Sequence, residues 1–138
     1  MKTSMETILL VEDSKFLRIA TERALTKAGY HVISAGDGEE AVAMATSHLP
    51  NVVLLDMMLP KLSGPEVLAA LKKNAQTAHI PVLVLSSLSQ KNEEKLLHEG
   101  AAAFLEKDPL LDNPSLLLKA VKQVLSAKPA AEAKRAHS

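Results

Sequence analysis

Several short apolar runs in this chain lead into a residue able to do chemistry. The run Ile8 to Val11 is followed by Glu12 and Asp13, and Val52 to Leu55 by Asp56. The run Val82 to Leu85 is followed by Ser86 and Ser87, and Ala103 to Leu105 leads to Lys107, with Asp108 after it. Brought together, the carboxylates of Glu12, Asp13 and Asp56 would repel one another. The usual remedy is a hard divalent cation with oxygen ligands. Mg2+ suits a site of a few carboxylates, a carbonyl, waters and a phosphoryl oxygen. Lys107 would add a point charge for an anion, and Ser86 a hydroxyl donor. Acids, metal, lysine and hydroxyl together are what a transferring phosphoryl group requires. An aspartate beside the metal can itself be the nucleophile.

Something must position these residues. The apolar runs, with His31 to Ala35 between the first and the third, have strand length and alternate with segments of helical spacing. Leu17, Ala20, Ala24 and Ala28 mark one face of a first helix, which should end at Gly29. Ala41, Val42, Ala45 and Leu49 mark a second, ending before Pro50. Val67, Leu68 and Leu71 mark a third, with Pro65 near its first turn. A fourth runs from about Gln90 to Gly100. A fifth starts near Asn113-Pro114 and carries Leu117, Leu118, Val121, Val124 and Leu125. Five strand–helix pairs in alternation predict an α/β domain: a parallel sheet, doubly wound, with helices on both faces in three αβα layers. The central runs are continuously apolar, as expected of strands covered on both sides. Ligands of such sheets bind at the carboxyl ends of the strands, where these residues fall.

Composition sets the outer bounds. The chain has 138 residues, 47% apolar and 23% charged, which is enough for one folded core. A formal net charge of zero argues against non-specific nucleic-acid binding or attraction to an anionic membrane. No cysteine is present, so disulfides, thiolate chemistry and cysteine zinc sites are excluded. No apolar stretch has transmembrane length, and the first residues do not form a secretory leader, so a soluble cytoplasmic domain is expected. Residues 1–6 read as a lead-in, 7–127 as the domain, and 128–138, KPAAEAKRAHS, as a loose tail. The histidines at positions 31, 48, 79, 98 and 137 show no metal-ligand spacing.

The segments LLVEDS, VVLLDMMLPKLSG, VLVLSS and GAAAFLEK, in this order and at these separations, make the chain resemble a receiver domain of the two-component response regulators. The likeness covers about Thr7 to Ala127. It is nearest to the single-domain, chemotaxis-regulator type. The resemblance implies a flavodoxin-like five-stranded sheet of order 2-1-3-4-5 with five helices. It implies that Asp56 accepts a phosphoryl group from a sensor histidine kinase or a phosphotransfer protein. Asp13, Asp56 and the backbone carbonyl of Met58 would ligate Mg2+, with Glu12 acting through water. Lys107 would pair with the phosphoryl oxygen, Ser86 would move toward it, and Phe104 would turn inward behind. That movement would reshape the face formed by the fourth helix, fifth strand and fifth helix, where a downstream protein or a second copy would dock. The domain would catalyse only its own phosphorylation and dephosphorylation.

The pattern departs from the family after the lysine. Lys-Pro with a cis peptide is usual there; here Asp108 follows Lys107 and the proline is displaced to Pro109. A cis bond before a non-proline residue costs about 2.5–4 kcal/mol, so that bond is either strained or the loop takes another path.

Each residue also has a plainer reading. Asp56 alone is a turn cap, Glu12-Asp13-Ser14 a helix cap with first-turn acids, Ser86 a turn residue, Lys107 a solvated lysine and Phe104 core. The run Lys91 to Lys95 reads as a solvated helix face. Met58 and Leu88, each two residues past a site residue, are expected to shield the phosphoryl group from water. Two other functions compete. A degenerate receiver serving as a constitutive interaction module has only Asp108 in its favour. An enzyme on the same fold lacks a Ser/Thr/Gly-rich cradle for flavin phosphate and the D-x-D spacing of aspartate-based phosphatases.

Overall fold

The computed structural model describes residues 6–57, 59–86, 97–106 and 113–137, with side chains described up to residue 126. Expectations for Met58, Leu88, the start of the fourth helix, Lys91 to Lys95, and the Lys107-Asp108-Pro109 turn lie outside these residues. Strands form at β1 (Thr7–Val11), β2 (His31–Ala35), β3 (Val52–Asp56), β4 (Val82–Ser86) and β5 (Ala103–Glu106). Helices form at α1 (Lys15–Lys27), α2 (Gly38–His48) and α3 (Gly64–Lys73), and a C-terminal helix spans Pro114–His137. Residues 97–98 are helical and lead into a turn at Gly100, where φ is 117°.

All strand pairs are parallel, in the order β2-β1-β3-β4-β5. This is the doubly wound sheet expected from the sequence. Central strands β1, β3 and β4 are almost wholly buried, whereas edge strands β2 and β5 are half-exposed. Alternate side chains go to opposite faces. Ile8, Leu10, Val52, Leu54 and Leu83 meet Leu25 of α1 and Leu117 and Val121 of the C-terminal helix. Leu9, Val11, Val53, Leu55 and Val84 meet Ala41 and Ala45 of α2 and Val67, Leu68 and Leu71 of α3. Phe104 is partly buried and packs on this second face.

Local details depart from expectation in four places. Leu25 is the fully buried anchor of α1, while Ala20 and Ala28 of the expected stripe are exposed. Alanines define a stripe weakly because each buries so little apolar area. The helix does end at Gly29, whose φ is 104°. Leu49, expected to pack, instead caps α2 in the left-handed region at φ 46° and is 50% exposed. Asp56 is the last residue of β3 rather than the first beyond it, paired in register with Leu85. The C-terminal helix continues through residues 128–137, where a loose tail was expected. That stretch is rich in alanine, lysine, arginine and glutamate, all strong helix formers.

Candidate functional site

Register alone carries the acids together. Val11 pairs with Leu55, so Glu12, next along, arrives beside Asp56. Asp56 pairs with Leu85 and Ser86 with Glu106, which places Ser86 one step beyond Asp56 on the neighbouring strand. The carboxylate oxygens of Glu12, Asp13 and Asp56 lie within 4.8 Å of one another. Glu12 and Asp56 are 4% and 3% exposed, and Ser86 is 2% exposed. Asp13 faces solvent. Two carboxylates at such a separation repel by about 3 kcal/mol at an effective dielectric constant of about 20. Holding three there calls for positive charge. All-oxygen donors, two of them buried and one open to water, fit a hard divalent cation such as Mg2+ that keeps part of its water shell.

Glu12 is held at several points. Its N–H donates to the Ala35 carbonyl of β2 at 3.1 Å. Its carboxylate accepts from the Ser14 N–H at 3.2 Å. Its carbonyl accepts from Nη1 of Arg18 at 2.7 Å. Ser14 is the N-cap of α1, its hydroxyl accepting from the Leu17 N–H at 3.3 Å. The first turn of α1 contains no acid, so Glu12 and Asp13 stand ahead of the helix and are not its first-turn charges.

Asp56 is backed by a tight turn. The Met57 N–H donates to the Leu85 carbonyl at 3.2 Å, and the Gly64 N–H donates to the Met57 carbonyl at 3.0 Å. A methyl group on Gly64 would stand 2.8 Å from the Asp56 carbonyl oxygen and 2.6 Å from Cα of Met57. Only glycine permits that approach. Ser63 then caps α3 in a capping box with Glu66, which fixes where the chain leaves the site.

Sequence reasoning named Glu12, Asp13, Asp56 and Ser86, and the fold brings them to one end of the sheet. It missed Arg18 and Gly36, which lie beside Glu12. The available signal was position: Arg18 follows the Ser14 cap by one turn, and helical side chains lean toward the N-terminus.

A doubly wound parallel sheet with an acidic trio at the carboxyl ends of β1 and β3 defines a class: α/β domains with a cluster of oxygen donors, able to hold a cation, at the topological switch point. Within that class the chain belongs to the response regulator receiver domain family, whose sequence pattern matches residues 8–128. It is 30% identical over 103 residues to the polar-differentiation response regulator DivK of Brucella anthropi, covering 74% of this chain and 84% of DivK. It is 43% identical over 105 residues to a gliding motility regulatory protein of Myxococcus xanthus, covering 75% of this chain. The chain spans only 13% of that relative's length. Among solved structures, the chemotaxis protein CheY4 of Vibrio cholerae superposes with a TM-score of 0.79 at 32% identity, covering 88% of this chain and 99% of CheY4. Among the described residues no helix is long and apolar enough to cross a membrane.

Proposed function

We propose that Asp56 is the phosphoacceptor of this receiver domain. One observation carries the reading: the convergence of Glu12, Asp13 and Asp56 within 4.8 Å at the end of the sheet. The donor is a phosphohistidine on a kinase or a phosphotransfer protein. A carboxylate oxygen of Asp56 attacks phosphorus, the P–N bond breaks, and the imidazole leaves with the electron pair and takes up a proton. The product is an acyl phosphate. The nucleophile is a carboxylate oxygen of Asp56 itself, so no hydroxyl or thiol has to be activated.

Asp13 and Asp56, with the Met58 carbonyl, would hold Mg2+, with Glu12 acting through water; the ion would offset the charge gathered on the phosphoryl oxygens. Lys107 would supply a point charge to a phosphoryl oxygen. The Ser86 hydroxyl donates to a phosphoryl oxygen, and Phe104 follows it inward. Phosphorylation replaces one carboxylate by roughly −1.5 to −2 charges and several acceptor oxygens. Ser86 and Phe104 would form the two-state element that this charge biases. The face around β5 and the C-terminal helix then changes its affinity for a downstream protein or a second copy. The setting is the cytoplasm, where sensor kinases present their phosphohistidines.

The test uses Mg2+ with acetyl phosphate, or a beryllofluoride mimic, and Asp56→Asn as control. Modification of wild type and not of Asp56→Asn supports the reading. No response in wild type favours a degenerate receiver.

A further inference from the structure

We infer that Arg18 is a positioning residue for the cation-binding acids: by gripping the Glu12 carbonyl it fixes the direction in which Asp13 presents its carboxylate. The inference rests on the phosphoacceptor reading of the site. Glu12 and Asp13 share one peptide plane, made of the Glu12 carbonyl and the Asp13 N–H, and that plane is rigid. The Glu12 N–H is fixed by Ala35 at 3.1 Å. The remaining freedom is rotation of the following peptide, and Nη1 of Arg18 holds its oxygen at 2.7 Å. A charged donor at that length makes a strong bond. Glu12 has further restraint through Ser14. Asp13 is exposed, and the orientation of the peptide plane before it, together with its own φ and χ1, sets where its carboxylate points.

The surroundings are shaped for the guanidinium. A Cβ on Gly36 would stand 3.1 Å from Nη1 of Arg18, so glycine leaves the space that the arginine fills. The Gly36 N–H donates to Oε1 of Glu40 at 2.9 Å, which pins the end of β2 to the first turn of α2. Arg18 therefore ties α1 to the end of β1 and lies against the Gly36 turn that follows β2. Arginine suits the task because its charge is permanent and its planar fork loses little freedom on binding.

The test is a Mg2+ titration of the full 15N-labelled chain, following the amides of Glu12, Asp13 and Ser14. Wild type is compared with Arg18→Met and Arg18→Lys, with thermal unfolding without Mg2+ as the measure of structure alone. Arg18→Met should weaken Mg2+ binding about tenfold or more, as loss of an outer partner does at metal sites. Arg18→Lys should fall between it and wild type. An affinity in Arg18→Met within about twofold of wild type overturns the inference and leaves the site reading intact, even if the melting temperature drops. Should Arg18→Met not fold, wild-type affinity in Arg18→Lys overturns it. A wild-type chain that binds no Mg2+ overturns the site reading, and the inference with it.

Discussion

At the scale of single residues, the site is a set of short distances enforced by backbone. Gly64 is the clearest case. Its α-hydrogen side faces the Asp56 carbonyl and Met57 at distances no methyl tolerates. Gly64→Ala is expected to destabilise the fold by about 1–3 kcal/mol, the usual range for overpacking, measured by urea unfolding. The same variant should slow phosphorylation, because the displaced backbone carries the nucleophile. Met58→Asn and Leu88→Glu are expected to shorten the lifetime of the aspartyl phosphate by admitting water, which hydrolysis kinetics would register. An unchanged lifetime would remove that role from both residues. Much of this scale was legible in sequence. Acids directly after apolar runs mark strand ends in a parallel sheet, and Asp56 was placed to within one residue. Arg18 was legible only through its position one turn past the Ser14 cap, because a side-chain bond to a backbone carbonyl leaves no mark in composition.

At the scale of elements, strands were easier to read than helix faces. β1, β3 and β4 are continuous runs of large apolar residues, and their full burial follows directly. Helix α1 is different. Its spacing of Leu17 with three alanines pointed to a stripe, yet Leu25, outside that stripe, is the residue wholly enclosed by Ile8, Leu10 and the C-terminal helix. Leu25→Ala should cost about 2–5 kcal/mol, the range for a buried leucine, whereas Ala20→Ser should be near neutral. Denaturant midpoints of the two variants would check the contrast. Leu49 shows a second limit: an apolar residue at helical spacing can be taken by the cap, where turn geometry outranks burial. The C-terminal helix runs past Pro129 to His137: proline and small residues suggest a loose end, while alanine and charged residues favour a helix.

At the scale of the whole molecule, two half-buried groups oppose each other in alkali. Burial, with the Glu6 carboxylate second, raises the Tyr30 phenol above its ordinary 10.0. Burial lowers the Lys72 ammonium below its ordinary 10.5. Nζ of Lys72 donates to the carbonyls of Ala78 and Ile80, each at 3.0 Å. For Tyr30 the unfolded chain loses its proton first, so its contribution is intact below pH 10.0 and is lost as pH rises through the folded value. For Lys72 the unfolded chain keeps its proton longer, so its contribution is fullest above pH 10.5 and is lost as pH falls through the folded value. Tyr30→Phe should therefore flatten the alkaline loss of stability, and Lys72→Met should steepen it, in urea unfolding between about pH 9 and 11. The sheet order is implied by the family resemblance; periodicity predicts parallel strands but does not rank them. The central claim concerns one oxygen in this whole. Intact-mass and peptide analysis after incubation with Mg2+ and acetyl phosphate tests it most directly. The account predicts a gain of one phosphoryl group, on Asp56, absent from Asp56→Asn. An unmodified wild-type chain, or the same gain on Asp56→Asn, would contradict it.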